Sequence, residues 1–117
     1  MAIIKQDYGS IGGGNYKFEF LGTPSQAKVT LGFKPKQLFI QNRYNGTQQW
    51  DEKNFYDETV SKTQIQYING STSSMLTIGD NNSSVLWSID NDGFTLGVGG
   101  SGANISNCYN VAYLAIG

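Results

Sequence analysis

Short apolar runs separated by turn residues recur along the whole chain. Residues 31–42 show this pattern most clearly: Gly32 and Pro35 punctuate a turn, and Leu38-Phe39-Ile40 then form a continuous apolar run. Glycine adopts a positive φ without steric cost, and proline pushes the residue before it into an extended conformation. An apolar run of this length, bounded by turn signals, is typical of a strand buried in a sheet or in a sandwich core.

Alternation of apolar and polar residues predicts further strands on both sides of this stretch. In residues 16–20, three aromatic residues alternate with a lysine and a glutamate, which is the period-2 pattern of a half-buried strand. Asp90-Asn91-Asp92-Gly93 lies between two β-rich runs and predicts the clearest hairpin of the chain. Similar signals predict strands at 27–31, 64–68, 75–78, 85–89, 94–98 and 109–116.

The sequence therefore predicts an all-β protein, an antiparallel two-sheet β-sandwich of eight to ten strands, of which the jelly roll is one arrangement. Residues 1–117 are expected to form a single domain, because a chain of this length buries one modest core. Residues 1–15 are interpreted as an N-terminal edge strand at 1–5 and a Gly-rich connection over 9–15. Residues 43–59 show no clean period and predict a long loop.

Composition and charge limit the classes of function. Charged residues make up only 15% of the chain and the net charge is −1, which gives no field to recruit nucleic acid. The chain has no histidine, the commonest general base, and its single cysteine, Cys108, excludes an internal disulfide. Residues 1–5 do not resemble a signal peptide, and no apolar segment approaches membrane-spanning length. We therefore expect synthesis in the cytoplasm without a signal peptide, and no membrane insertion.

Three patterns resemble catalytic or metal-binding motifs, and each has a simpler interpretation. Residues 97–102 match G-x-G-x-x-G, but β-formers follow them where a phosphate site needs a helix. The run at 90–93 resembles the start of a calcium loop but lacks the acidic ligand about twelve positions on. The four acidic residues within 51–58 lie on one predicted loop, which rarely holds a glycosidase pair at its required separation. We expect no enzyme activity, no catalytic residue, no bound metal and no cofactor.

Aromatic and amide side chains within residues 43–57 form the best candidate binding site. Aromatic faces stack on the C–H groups of sugars, and amides and carboxylates bind sugar hydroxyls. The alternative is that these aromatic rings fold back onto the sandwich core, where Trp87 is also expected. The candidate glycan contacts are Tyr44, Asn45, Gln48, Trp50, Asp51 and Tyr56.

Three motifs carry a resemblance to a known family. They are the turn at 31–36 that leads into an apolar strand, the hairpin from Ile89 to Leu96, and the terminal Tyr113-Leu114-Ala115-Ile116. Together they resemble small β-sandwich domains of bacteriophage and prophage tail proteins, such as tail-fibre and receptor-binding proteins. The resemblance implies a non-enzymatic structural component of the virion tail that binds other tail proteins or itself, as a homo-oligomer with a trimer among the expected forms.

The resemblance and the candidate site together predict binding to a bacterial surface glycan. A free-standing bacterial lectin-like carbohydrate-binding module is the alternative, and an architectural subunit without a ligand is a third.

Overall fold

The computed structural model describes residues 6–11, 14–44, 52–79, 86–97 and 108–117, with the backbone alone at 6–11, 14, 44 and 108. Within these ranges the chain forms ten strands: β1 (Gln6–Ile11), β2 (Gly14–Gly22), β3 (Lys28–Thr30), β4 (Gln37–Tyr44), β5 (Glu52–Asp57), β6 (Gln64–Asn69), β7 (Thr72–Thr77), β8 (Leu86–Asp90), β9 (Gly93–Leu96) and β10 (Cys108–Ile116). The strands pair in two antiparallel sheets, ordered β1-β2-β10-β4-β5-β6-β7 and β3-β9-β8. The predicted all-β, two-sheet fold is confirmed. These ranges contain no helix of the length and apolar character that crossing a membrane requires.

Side chains alternate between an inner and an outer face of the seven-stranded sheet, as the pleat of a strand requires. Along β4, Leu38 and Ile40 point inward and are almost fully buried, whereas Phe39 between them is 42% exposed on the outer face. The inner face is the one that meets the three-stranded sheet. The outer face has no second layer of protein over it within the described part of the chain.

The core lies between the two sheets. Phe94 on β9 is 0% exposed, and its ring meets that of Tyr113 on β10 edge-on, with centroids 5.1 Å apart and an interplanar angle of 79°. The Tyr113 hydroxyl donates a hydrogen bond to Glu19 Oε1 at 2.7 Å, which satisfies its polar end inside the sandwich. The other buried apolar residues of the core are Val29, Leu31, Leu38, Ile40, Tyr56, Ile65, Leu86, Leu96, Val111 and Ala115.

The turn at 31–36 and the hairpin at 90–93 form as predicted. Gly32 has a φ of +84°, a conformation that residues with a Cβ rarely adopt. Strands β8 and β9 pair directly up to Asp90 and Gly93, which confirms the hairpin. The backbone N–H groups of Leu31 and Gly32 donate to the carbonyl oxygen of Asp92 at 2.7 and 3.1 Å, so the predicted turn and the predicted hairpin hold each other.

The prediction of one long loop over residues 43–59 is wrong, because β5 occupies Glu52–Asp57. This strand pairs with β4 on one side and with β6 on the other. Its inner positions include two polar residues, Glu52 and Asn54, while Phe55 lies on the outer face. Hydrophobic alternation is therefore missing from the sequence of β5. Pairing with the neighbouring strands β4 and β6 holds β5 in the sheet.

The N-terminal edge strand lies further along the chain than predicted. Strand β1 spans Gln6–Ile11 at the edge of the large sheet and pairs with β2 up to Ile11 and Gly14. Residues 9–11, predicted as part of a connection, therefore belong to a strand, because backbone pairing with β2 outweighs the weak strand preference of glycine. Residues 1–5 lie outside the described residues.

Candidate functional site

A row of large apolar side chains crosses the outer face of the seven-stranded sheet. The row takes one residue from each of six neighbouring strands, and each of these residues is directly paired with the one on the adjacent strand. The row therefore runs perpendicular to the strands. We call it the central row, and its members in sheet order are Phe18, Leu114, Phe39, Phe55, Gln66 and Met75. Five of the six are apolar, which is unusual for a sheet face that no other described part of the chain covers.

The aromatic members of the central row are ordered yet open to solvent. The rings of Phe39 and Phe55 stack at a centroid distance of 4.3 Å and an interplanar angle of 13°. Phe39 is 42% exposed, Phe18 is 40% exposed and Met75 is 47% exposed. Stacking of this cross-strand pair stabilises the sheet and sets the two central rings side by side on neighbouring strands.

Strand β2 shows the same inversion of polar and apolar positions as β5. Phe18 and Phe20 point outward and are each 40% exposed, whereas Lys17 is buried on the inner face with Glu19 beside it. The Nζ of Lys17 lies 3.6 Å from Glu19 Oε1, so the inward charge is paired. Two strands of one sheet thus turn phenylalanine toward solvent and polar groups toward the core.

Two shorter rows flank the central row on the outer face, as the strand register defines them. We call them the lysine row and the aspartate row after the single charged residue that each contains among these positions. The lysine row consists of Phe20, Ala112, Gln41, Lys53 and Ile68. The aspartate row consists of Tyr16, Ile116, Gln37 and Asp57. The central row and these two flanking rows make up the outer aromatic face.

The two charges of the outer aromatic face have no ion-pair partner among the described residues. Asp57 accepts hydrogen bonds from neutral donors only: the hydroxyl of Thr59 at 2.7 Å, the Nε2 of Gln37 at 3.1 Å and the backbone N–H of Thr59 at 2.9 Å. These bonds, with that from the Thr59 hydroxyl the largest cause, lower the pKa of Asp57. Lys53 is exposed on the same strand, on the other side of Phe55.

A shallow groove of about 430 Å³ lies in the outer aromatic face. Its walls are aromatic and aliphatic side chains of the central row, and its floor passes over Ala112, the smallest side chain of the lysine row. Among the residues that the structure describes, Lys53 is the one charged residue that lines the groove, so they form no cluster of acidic or basic groups there. Its chemistry suits apolar protein side chains rather than a charged or strongly polar ligand.

A network of polar side chains lies on the inner face, where β4 ends and β5 begins. Asn42 donates to Glu52 Oε1 at 3.2 Å, and Asn54 donates to Asn42 Oδ1 at 3.2 Å. Tyr67 donates its hydroxyl hydrogen to Glu52 Oε2 and accepts from Asn69 Nδ2 at 3.2 Å. We call these five residues the inner polar cluster. It contains one carboxyl group, so it offers no pair for acid–base catalysis, and it accounts for the polar inner positions of β5.

Because of the inner polar cluster, the free energy of unfolding should fall as the pH rises through the alkaline range. Burial, then the hydrogen bond and charge of Glu52, raise the pKa of Tyr67 from 10.0 to about 12. The pKa of Tyr67 is thus higher in the folded state than in the unfolded state. This difference adds to the free energy of unfolding below pH 10, and the added stability disappears as the pH rises from 10 to 12. We expect Tyr67→Phe to lower the free energy of unfolding at pH 8 by about 1–3 kcal/mol, because Glu52 loses a buried donor.

Urea denaturation at pH 8, 10 and 11.5 measures this effect. Between pH 10 and 11.5 the parent protein should lose more stability than the Tyr67→Phe variant does. Parallel losses in the two proteins would contradict the assignment of this titration to Tyr67.

Of the six predicted glycan contacts, the structure describes the side chain of Tyr56 alone. Asn45, Gln48, Trp50 and Asp51 lie outside the described residues, and Tyr44 is described by its backbone alone, as the last residue of β4. Tyr56 is 3% exposed and belongs to the core, and burial, followed by Glu58 and Asp57, raises its pKa. Its ring face is therefore covered by the sandwich, as the alternative interpretation of this aromatic cluster expects.

Trp87 lines a crevice of about 310 Å³ between the edges of the two sheets and is half-buried rather than fully enclosed. Tyr56 and Ile78 form part of the same crevice, together with Lys34, Glu58, Lys62, Ser88 and Ile89. The crevice mixes two lysines with one glutamate. No described hydrogen bond organises these charged groups around a common point.

Among the described residues, the acidic groups considered for catalysis do not converge, and those of the hairpin bind a lysine. Alternation along β5 places Glu52 on the inner face and Asp57 on the outer face, while Asp51 lies outside the described residues. In the hairpin, Lys28 Nζ donates to Asp90 Oδ2 and to Asp92 Oδ1, both at 2.7 Å. The described residues contain no group of three or more side chains suited to hold a metal ion. Positions 98–102 of the Gly-rich motif are also outside the described residues.

The sequence contained a signal for the outer aromatic face. In β2, Phe18 and Phe20 alternate with polar residues, and in β4 Phe39 lies between two other apolar residues. These patterns alone do not state which side of a strand faces the core. The strand order supplies that information by placing Phe18, Phe39 and Phe55 in one row.

Comparison of the chain with protein-family models, with curated proteins and with solved structures gave no match.

Proposed function

We propose that this protein is a non-enzymatic structural component of a bacteriophage or prophage tail, and that it acts by docking its outer aromatic face against protein. The observation that carries the proposal is the face itself. It presents five apolar side chains in the central row alone, ordered across six strands, with exposed fractions of 40% or more at Phe18, Phe39 and Met75.

A face of this kind is costly for a protein that remains alone in water. A contiguous exposed apolar patch usually marks an interaction site, and one face of a solvated antiparallel sheet is normally polar. Here β2 and β5 accept buried polar groups, Lys17 and Glu52, on the inner side while phenylalanine stays outside. Docking against protein removes the exposed aromatic area from water and accounts for the inversion.

The position in a phage tail rests on the resemblance of three motifs, the turn at 31–36, the hairpin from Ile89 to Leu96 and the terminal strand at 113–116. Two of these motifs contribute directly to the outer aromatic face. The turn leads into the strand that carries Phe39, and the terminal strand carries Leu114 and Ile116. Virion tails are built from repeated protein contacts, so a rigid sheet with an apolar docking face suits this setting.

Fractionation of phage particles tests the proposal. An antibody raised against the purified full chain is used to probe particles, induced from a host that carries the coding sequence, after density-gradient separation. We expect the protein in the particle fractions and at the tail in immunogold images. A protein found only in the soluble fraction, with no particle association, would contradict a role in the tail.

Binding to a bacterial surface glycan, in the tail or as a free-standing lectin-like module, is proposed from the aromatic and amide residues of 44–51. A glycan array of the full chain tests it, and Trp50→Ala should abolish any signal if this segment makes the contact. An unchanged signal in that variant would contradict the assignment.

A further inference from the structure

We infer that the occupant of the outer aromatic face is a second copy of this chain, docked face to face about a twofold axis that runs parallel to the central row. The inference rests on the proposed docking role of the face and specifies its partner. Its support is the arrangement of charge, size and area within the face.

The first support is charge complementarity. Lys53 and Asp57 lie on β5, two residues before and two residues after Phe55, which belongs to the central row. A twofold axis parallel to that row exchanges the lysine row of one copy with the aspartate row of the other. Lys53 of each copy then faces Asp57 of its partner, so these two charges, which have no ion-pair partner within the described ranges, form two symmetric ion pairs.

The direction of the axis follows from the same charges. A twofold axis parallel to the strands would place each flanking row against the same row of the second copy. The lysine row contains no acidic residue and the aspartate row contains no basic residue among the described positions. Both charges would then lose contact with water without gaining an ion-pair partner, which disfavours that arrangement. The axis across the strands avoids this cost.

The second support is the match of side-chain sizes. Ala112 and Ile116 lie on β10, on either side of Leu114 in the central row. The proposed axis sets Ile116 of one copy over Ala112 of the other, where the floor of the groove lies. A large side chain opposite a small one lets two sheets interdigitate, as packed sandwich layers do. On the neighbouring strand, Gln37 meets Gln41, two neutral groups that can hydrogen-bond across the interface.

The third support is the size of the face. The three rows hold fifteen positions, each occupying about 4.8 Å across the strands and about 6.8 Å along them, so the face covers roughly 500 Å². A protein–protein interface of standard size buries about 800 Å² on each partner. The outer aromatic face therefore supplies most of the area that a stable dimer needs. Arg43, at the end of β4, lies beyond the lysine row and at the rim of this area.

Mixing of charge-reversed variants tests the inference. In Lys53→Asp, the introduced aspartate faces Asp57 of the second copy, and in Asp57→Lys the introduced lysine faces Lys53. Each variant alone therefore brings two like-charge pairs together, and we expect its dimer dissociation constant to rise at least about tenfold. In an equimolar mixture every reversed charge meets its opposite, so a heterodimer should form within about threefold of the parent affinity.

Sedimentation velocity of the full chain provides the measurement, with the parent expected at twice the 12.8 kDa mass of one chain. Lys34→Asp is the matched control: it reverses an exposed lysine outside the outer aromatic face and should leave the parent equilibrium unchanged. Circular dichroism confirms that each variant is folded. Should Asp57→Lys fail to fold, Phe39→Ser replaces it, because that exposed ring can be lost without opening the core and its loss should leave a folded monomer.

Four outcomes would overturn the inference. They are a parent that remains a single chain at 0.5 mM, a parent trimer, a dimer that Lys53→Asp and Phe39→Ser leave intact, and a mixture of the charge variants that stays monomeric. If the parent remains a single chain, the partner of the outer aromatic face is a different protein, and the chain could still associate with phage particles. Failure of this inference is thus distinguishable from failure of the proposed function.

Discussion

Gly93→Ala should lower the free energy of unfolding by about 3 kcal/mol or more, because the new methyl group has no room. A Cβ at this position would lie 2.0 Å from the carbonyl oxygen of Val29, 3.1 Å from the Val29 carbonyl carbon and 3.2 Å from the backbone nitrogen of Leu31. All three atoms belong to the backbone, so no side-chain rotation relieves the overlap. Strand β9 must move away from β3.

Movement of β9 away from β3 would also disturb the hydrogen bonds next to Gly93. Gly93 pairs with Thr30, and next to it the carbonyl oxygen of Asp92 accepts hydrogen bonds from the N–H groups of Leu31 and Gly32. These bonds join the turn at 31–36 to the β8–β9 hairpin. Urea denaturation gives the loss of stability, and hydrogen exchange at the amide of Leu31 reports directly on the broken junction, where protection should fall.

Gly70→Ala is the matched control for this experiment. Gly70 has a φ of +58° but no atom within 4 Å of an added Cβ, so alanine there meets backbone strain without a steric clash. That strain costs about 1–2 kcal/mol. A loss at position 93 no greater than the loss at position 70 would contradict the close approach of β9 to β3.

Local signals in the sequence were sufficient to predict most of the fold. The hairpin at 90–93 and the turn at Gly32 depend on residues a few positions apart, whose turn preferences act within the segment itself. Both form as predicted. Strand β5 could not be predicted in this way, because Glu52 and Asn54 occupy inner positions and remove the apolar alternation. Their partners, Asn42 and Tyr67, come from other strands, so the sequence of residues 52–57 carries no local sign of them.

The candidate site was less predictable than the fold for a related reason. The alternation of aromatic and charged residues identifies β2 as a strand. The same alternation would be present whether Phe18 or Lys17 pointed inward. The choice depends on which neighbours the strand meets: Glu19, beside Lys17, is bound by the Tyr113 hydroxyl across the sheet. The outer aromatic face forms because β2, β4 and β5 all turn phenylalanine toward the outer side of the sheet. The glycan prediction instead followed the aromatic content of one segment, and Tyr56 in that segment belongs to the core.

Phe94→Ala should lower the free energy of unfolding by about 3–5 kcal/mol, the usual cost of removing a fully buried aromatic ring. Phe94 is 0% exposed and its ring meets Tyr113 edge-on, so truncation opens a cavity at the point where the two sheets join. For a domain of this size, a loss of about 3 kcal/mol lowers the melting temperature by about 12 °C. Urea denaturation should show a lower midpoint with an unchanged dependence on urea concentration.

Phe18→Ala, measured at a dilution where the chain is monomeric, is the matched control because its ring is 40% exposed on the outer aromatic face. It should cost about 1 kcal/mol or less in stability. The two phenylalanines then differ in position: Phe94 packs between the sheets of one chain, and Phe18 lies on the outer face that we propose as the docking surface. Similar losses of stability in the two variants would contradict the assignment of inner and outer faces, and with it the docking role of the outer one.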